Sequence, residues 1–242
     1  MIRTRTDDRV RVVTIDRPAR RNALRPDDLD ALRSAIADAE TPVTYLRGAG
    51  NAFCAGADLD VVAGLAGGAG PDGDETADAA SFARRGQRAA AALADADTVV
   101  VCGIDGAARG GGVELALAAD VRVATPAATF AEPGVEFGLF GAWGGTIRLP
   151  RVMREGDALD FALSGRVLDA DEALRTGLVS RVVDDPRAVA DEISSGEPDA
   201  IRAVKRRVRD RRDDAAQADA EAEAFAALVR AHGAEIAASR TE

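Results

Sequence analysis

Short β-branched apolar runs alternate with segments of helical apolar spacing along the first 185 residues of this chain. Such runs are typical of strands buried in a parallel sheet. They lie at 10–15, 43–46, 98–104, 121–124 and 178–183. A helix is predicted to begin at Pro26, because a proline and two carboxylates precede apolar residues at helical spacing. This alternation predicts an α/β fold with right-handed crossovers.

The pattern changes after Pro186, where two alanine-rich segments at 198–212 and 214–239 predict helices with no strand between them. Their apolar faces are narrow, and such helices pack on another subunit or back on their own domain. We therefore expect a core domain over residues 1–185 and a C-terminal helical region over residues 186–242.

A glycine-rich stretch from Gly64 to Glu75 fits no packed element. It combines five glycines with a proline and three carboxylates, which favours a mobile connection. Two interpretations are open: a lid over a ligand, or an ordinary solvent-exposed loop.

Composition and charge exclude several function classes. The formal net charge of −10 and the pI near 4.8 argue against a nucleic-acid-binding surface. No apolar run reaches 18 residues and no signal peptide opens the chain, so we expect a soluble cytoplasmic protein. With one histidine, His232, and two cysteines, Cys54 and Cys102, we expect no histidine-based triad, no disulfide framework and no metal site.

The candidate chemistry lies in three glycine-rich clusters, at 50–59, 106–115 and 138–146. None matches the phosphate-binding P-loop, because no glycine-lysine-hydroxyl triplet exists and the single lysine, Lys205, is remote. None matches the dinucleotide-binding fingerprint either, since the required glycine pattern does not follow the first strand.

The second cluster joins a predicted strand to a helix that we expect to begin at Val113. Glycines let backbone N–H groups approach a ligand closely, and the positive end of a helix favours negative charge there. The first cluster repeats this arrangement, so one amide from each loop can meet at a single carbonyl oxygen. Glu114 would lie beside that point as an acid or base. Its alternative role is that of a first-turn carboxylate favoured by the helix dipole.

The order of motifs resembles the enoyl-CoA hydratase/isomerase (crotonase-like) family over essentially the whole chain. The segments that carry the resemblance are DRP at 16–18, NAL at 22–24, FCAGADL at 53–59, GGGVELALAAD at 110–120, FAEPGVEFG at 130–138, GG at 144–145 and GLV at 177–179.

This resemblance implies a spiral of ββα units, an acyl-CoA thioester substrate and a homotrimer or dimer of trimers. Coenzyme A would be carried as part of the substrate, with no separate cofactor. The family's oxyanion hole falls on the backbone N–H groups of Ala55 and Gly111, and one of its two catalytic glutamates falls on Glu114. The other falls on Gly134, which cannot transfer a proton.

The missing carboxylate leaves three possibilities open. Glu132 or Glu136 reaches the pocket instead, and residues two apart in an extended segment share a face. Alternatively, Glu114 acts alone, as in a double-bond isomerase or an acyl-CoA decarboxylase. In the third case the site binds acyl-CoA with little turnover, as a catalytically weak binding subunit. Among enzymes of the family, an acyl-CoA decarboxylase or hydrolase is the alternative to a hydratase or isomerase.

Other positions are expected around the substrate. By the resemblance, and with Gly134 leaving room for a bulkier acyl group or an extra water, the acyl part would meet Ala23, Gly56, Asp58, Gly110, Gly134 and Trp143. The phosphates of coenzyme A would meet Arg20, Arg21 and Lys205. The competing interpretation of these basic residues is a solvated surface. Asp58 is also expected to brace the loop that carries Ala55.

Overall fold

The computed structural model describes residues 1–65 and 78–238. The strands in these residues are β1 (Ile2–Asp7), β2 (Val10–Ile15), β3 (Val43–Gly48), β4 (Ala52–Cys54), β5 (Val99–Ile104), β6 (Ala107–Arg109), β7 (Val121–Ala124), β8 (Thr129–Ala131), β9 (Leu168–Asp169) and β10 (Arg181–Val182).

The helices follow the same chain order within the described ranges. They are α1 (Pro26–Ala37), α2 (Leu59–Leu65), α3 (Ala79–Asp95), α4 (Gly111–Ala118), α5 (Gly145–Val152), α6 (Glu155–Ser164), α7 (Ala170–Thr176), α8 (Pro186–Ser194), α9 (Pro198–Arg209) and α10 (Asp214–Ala238). Two 3-10 turns, Pro18–Arg20 and Pro133–Phe137, lie between them.

The strands form two sheets. The larger sheet has the order β1-β2-β3-β5-β7-β10, and the smaller has the order β4-β6-β8-β9. The pairs β3/β4, β5/β6 and β7/β8 each give one strand to either sheet, and helical turns separate successive pairs. All pairings are parallel except β1 with β2 and β8 with β9. The expected α/β spiral of ββα units is confirmed.

Four of the five apolar runs form strands close to their predicted bounds. In the fifth run, at 178–183, only Arg181–Val182 pairs with β7 as a strand. Leu178 and Val179 precede the strand and are buried in the core. The strands of the smaller sheet have two or three residues each, which is too short for a periodicity to show.

Two apolar clusters hold the sheets and helices together. The larger one fills the space between the two sheets and helices α1, α3 and α4, with fully buried side chains such as Leu46 and Phe53. The smaller one packs α8 onto the larger sheet through Val189 and Ala190. Residue 186, the expected domain boundary, is therefore the first residue of a helix that packs on the sheet.

The described C-terminal helices contain no strand between them, as expected. Helix α9 is fastened to the larger sheet by Lys205, whose ammonium donates to Ala96 O at 2.6 Å and Thr98 O at 2.8 Å and pairs with Asp120 at 2.9 Å. All three N–H donors of Lys205 are taken, so the structure leaves none for the expected contact with a phosphate. Helix α10 contacts α9 and has no buried residue.

The predicted loop from Gly64 to Glu75 lies mostly outside the described residues, since residues 66–77 are not among them. Its first residue, Gly64, belongs to α2. Within the described parts of the chain, no helix has both the length and the hydropathy that crossing a membrane requires.

Replacing Lys205 by methionine should lower the free energy of unfolding by about 2–3 kcal/mol, because Asp120 and the carbonyls of Ala96 and Thr98 lose a charged donor. Urea unfolding followed by circular dichroism measures this loss. The matched control is Arg206→Met on the next residue of α9, where the side chain is 62% exposed and pairs with Asp97 at 3.7 Å. That change should stay within about 0.5 kcal/mol. Equal losses in the two variants would contradict the anchoring role of Lys205.

Candidate active site

The N-terminus of α4 offers an unpaired backbone amide to a cavity. Gly110, at φ 48°, turns the chain from β6 into α4. Gly111 is the first helical residue, and the first N–H groups of a helix have no partner within it. No acceptor in the described part of the chain takes the Gly111 N–H, which lines the cavity together with Glu114.

The second amide comes from Ala57, so the prediction that Ala55 supplies it was wrong. The Ala55 N–H donates to Arg21 O at 2.9 Å and is not available to a ligand. On either side of Ala57, the Leu24 N–H donates to Gly56 O and the Asp58 N–H donates to Leu24 O. The N–H of Ala57 itself has no acceptor in the described residues. The sequence held no signal for this choice, because it depends on which amide the 21–24 segment uses.

The two glycine loops approach each other closely at this point. Gly56 has φ +80°, and a Cβ on it would be 2.8 Å from the Gly111 nitrogen and 2.6 Å from Arg109 O. Only glycine fits such a conformation and such a spacing. The contact therefore brings the loop that carries Ala57 against the start of α4.

Glu114 is buried beside these amides and is held by the backbone. Its Oε1 accepts the N–H groups of Trp143 at 2.8 Å and Gly145 at 2.6 Å. Burial raises the pKa of Glu114, whereas these N–H groups and the charge of Arg148 oppose the rise. Arg148 also donates to Trp143 O at 3.1 Å, which braces the same turn. These contacts favour the ionised form of Glu114 against its burial.

Glu132 is the second carboxyl group of the site. It is 5% exposed, and its Oε1 has no hydrogen-bond partner in the structure. Burial, with a smaller contribution from the charge of Glu114, raises the pKa of Glu132 to about 8. Near neutral pH, Glu132 is therefore mainly protonated. The two carboxyl groups lie close to the same position beside Gly141. A Cβ on Gly141 would be 3.0 Å from Glu114 Oε1 and 3.1 Å from Glu132 Oε2.

The route by which Glu132 reaches the site differs from the expected one. Residues 133–137 form a 3-10 turn and not an extended segment, so the argument from a shared strand face was wrong. Glu136 is exposed on that turn and does not line the cavity. The expected free space at Gly134 is also absent, because a Cβ there would be 3.1 Å from Leu139 O and from Phe140 Cα.

The cavity around the two carboxyls has a volume of about 310 Å³. Apolar side chains of α2, α3 and the 137–143 segment form most of its wall. Trp143 is buried in this wall, and its ring meets Phe82 edge to face at a centroid distance of 5.9 Å. Among the described residues that line it, Arg109, Glu114 and Glu132 are the only polar side chains.

Several predicted residues support the site from outside the cavity. Asp58 is buried and accepts hydrogen bonds from Arg17 and Arg20, so it braces the first glycine loop as expected. Burial acts to raise the pKa of Asp58, but the hydrogen bonds from Arg17 and from the Asp60 N–H, together with the charges of Arg17 and Arg20, outweigh it and the pKa is lowered. Arg17 also donates to Ala23 O, which places Ala23 in the brace and not in the wall.

The remaining candidates lie away from the chemistry. Cys54 and Cys102 are buried, and burial raises both thiol pKa values, that of Cys54 to about 12. Protonated thiols of this kind are unreactive. His232 lies on α10, where its Nδ1 is 3.5 Å from Glu235.

The amino-acid sequence of this chain is similar to those of a group of known enzymes. Residues 5–238 match the family model described as Enoyl-CoA hydratase/isomerase. The short-chain-enoyl-CoA hydratase of Clostridium acetobutylicum is 33% identical over 170 residues, and the crotonyl-CoA hydratase of Syntrophomonas wolfei is 31% identical over 170 residues. Each match covers 68% of this chain and 62% of the relative. The matched segment thus spans less than two thirds of these curated relatives.

Similarity to solved structures extends further along the chain. The enoyl-CoA hydratase structure from Thermoplasma volcanium GSS1 superposes with a TM-score of 0.87 at 28% identity, covering 100% of this chain and 97% of that one. The spiral and the two glycine loops thus belong to a fold that is shared over the full chain.

Replacing Glu132 by glutamine should reduce the pH dependence of stability. In the folded chain the pKa of Glu132 is about 8, against an ordinary value of 4.5, so the folded state keeps a proton that the unfolded state releases between these values. The wild-type free energy of unfolding should therefore fall with rising pH, relative to the variant, by up to about 1.4 kcal/mol per pH unit. Urea titrations at about pH 5.5 and about pH 7.5 measure the difference.

Glu136→Gln is the matched control, since it makes the same substitution at an exposed glutamate of the adjacent turn. This variant should follow the wild-type pH profile. A Glu132→Gln variant that also follows it would show that Glu132 is not buried as a neutral acid.

Proposed function

The chain belongs to the enoyl-CoA hydratase/isomerase family, and from this premise we propose that it adds water across the double bond of a 2-enoyl-CoA thioester. The observation that carries the proposal is a pair of buried carboxyls, one held by backbone N–H groups and one with an unpaired oxygen, beside two unpaired backbone amides. Hydration needs these parts: donors for the developing enolate, a base for water and an acid for the α-carbon.

The amides of Ala57 and Gly111 are the proposed donors to the thioester oxygen. Both N–H groups lack an acceptor in the described residues, and Gly111 is at the positive end of α4. As negative charge develops on the oxygen, these donors stabilise it without any rearrangement of the loop. Removing one such donor from an oxyanion hole typically costs about 3–4 kcal/mol of barrier.

The two carboxyls divide the proton transfers between them. Glu114, which accepts two backbone N–H groups, takes a proton from water as its oxygen bonds to the β-carbon. Glu132, whose pKa of about 8 keeps it neutral, gives its proton to the α-carbon of the enolate. The proton then returns from Glu114 to Glu132, so each cycle consumes one water and leaves both groups unchanged.

Glu132 thereby serves in place of the carboxylate that is missing at Gly134. This part of the proposal is supported by the shared border of the two carboxyls at Gly141 and by the unpaired Oε1 of Glu132. The exposed Glu136 has no such contact.

Double-bond isomerisation is the second candidate, and the chemistry of the cavity wall favours it. No serine, threonine, asparagine or glutamine is among the described lining residues, so water has few partners other than the carboxyls. A proton transfer between the α- and γ-carbons of a 3-enoyl-CoA needs the same amides and carboxyls but no bound water.

Coenzyme A would be held at the edge of the first glycine loop. Arg20 is occupied there by Asp58 and Asp60, whereas Arg21 is exposed and has no carboxylate partner in the described residues. Arg21 is therefore the proposed phosphate contact, and Lys205 is not, because its three donors are taken by Ala96, Thr98 and Asp120.

Incubation with crotonyl-CoA and with a 3-enoyl-CoA separates the candidates, because hydration adds the mass of one water and isomerisation leaves the mass unchanged. Glu114→Gln and Glu132→Gln should each lower turnover by about 100-fold or more, whereas Glu136→Gln should not change it. Full activity in Glu132→Gln would reject its role as the acid. Retained acyl-CoA affinity without turnover of either thioester would instead indicate a binding subunit.

We also propose a homotrimer or a dimer of trimers, supported by the exposed apolar side chains of α10. Phe225 is 68% exposed and Val229 is 43% exposed on a helix with no buried residue. Light scattering coupled to size exclusion should give about three or six times the 25.0 kDa chain mass. Phe225→Glu with Val229→Glu should lower that mass, whereas Glu223→Gln on the same helix should not. A monomeric wild type would refute the assembly.

A further inference from the structure

Trp143 occupies the space between helices α3 and α4 at the inner wall of the cavity. Its backbone N–H holds Glu114, while its side chain extends away from that contact and lies against both helices. The residue is 4% exposed, and Phe82 on α3 meets its ring edge to face. The indole is therefore fixed in position on two sides.

Two glycines make this position possible. A Cβ on Gly86 of α3 would overlap the pyrrole edge of the indole, and a Cβ on Gly111 of α4 would overlap its benzene edge. Any larger residue at either position would displace the ring. The chain thus carries a fitted set of three residues, Gly86, Gly111 and Trp143, that fills the gap between α3 and α4.

The indole borders one of the two reacting groups, and the backbone of the same residue contacts the other. Gly111, against which the benzene edge lies, supplies an unpaired amide, and Glu114, which the Trp143 backbone holds, supplies the proposed base. In the proposed mechanism, a thioester whose oxygen meets the Gly111 amide places its next carbon between that amide and Glu114, since both residues line the same cavity. That carbon would then lie beside the indole, and the rest of a linear chain would follow the apolar wall formed by α2.

We propose that Trp143 is a specificity-determining residue that excludes acyl groups branched at the carbon next to the thioester carbonyl and admits linear ones. The inference rests on the proposed function, since it places an acyl-CoA thioester on the Ala57 and Gly111 amides. A methyl branch on that carbon has no free space on the side of the indole, because the ring already fills the gap between α3 and α4. Rigid walls of this kind discriminate by single methyl groups.

Two isomeric thioesters, butanoyl-CoA and 2-methylpropanoyl-CoA, test the proposal by binding alone. They have the same composition and no double bond, so neither undergoes hydration or isomerisation, and only their branching differs. Isothermal titration should show that wild type binds the linear isomer about 10-fold more tightly. Trp143→Ala should bring the two Kd values to within about 2-fold, and Trp143→Phe should give an intermediate ratio.

Phe140→Ala is the matched control, because it removes an aromatic side chain that lines the same cavity but is 70% exposed. It should shift both Kd values by the same factor and keep their ratio. Trp143→Phe keeps an aromatic ring in the wall, so the test stands even where Trp143→Ala does not fold.

The outcomes separate this inference from the proposed function. A wild type that binds both isomers equally, or Trp143 variants that keep the wild-type ratio, would overturn the role of Trp143 alone. Binding of neither thioester by wild type would overturn the acyl-CoA function and this inference with it.

Discussion

The site depends on one interaction, in which two backbone N–H groups donate to the carboxyl group of Glu114. An ionised group as buried as this one is costly unless hydrogen bonds replace its water. The Trp143 and Gly145 amides supply those bonds, and they tie the first turn of α4 to the start of α5. The same two bonds set the base beside the Gly111 amide and direct the Trp143 side chain to the wall between α3 and α4.

A second consequence of this contact is the difference between the two carboxyls. Glu114 has amide donors, whereas Glu132, in the same cavity, has an oxygen with no partner. Burial and, to a smaller extent, the charge of Glu114 together raise the pKa of Glu132 to about 8. The proposed acid and the proposed base are thus distinguished by their backbone surroundings and not by residue type, which is a common way of assigning roles to paired carboxyls.

The sequence was sufficient for the fold and for the position of Glu114, because long apolar runs and ordered glycine motifs reflect local constraints. It was insufficient where distant segments compete. Ala55 and Ala57 are equivalent in the motif, and only the pairing with residues 21–24 shows which amide is taken. The 3-10 turn after Glu132 arises from the return of residues 139–140 over Gly134. The expected phosphate contact of Lys205 also failed for this reason, because three acceptors from distant segments, Ala96 O, Thr98 O and Asp120, take its N–H donors.

That lysine also has a practical consequence for labelling the protein. Lys205 is the one lysine of the sequence, and its nitrogen is enclosed between α9 and the larger sheet. Burial lowers its pKa, and the charge of Asp120 acts in the opposite direction. An amine-reactive dye or crosslinker applied to the folded chain therefore meets no exposed lysine side chain.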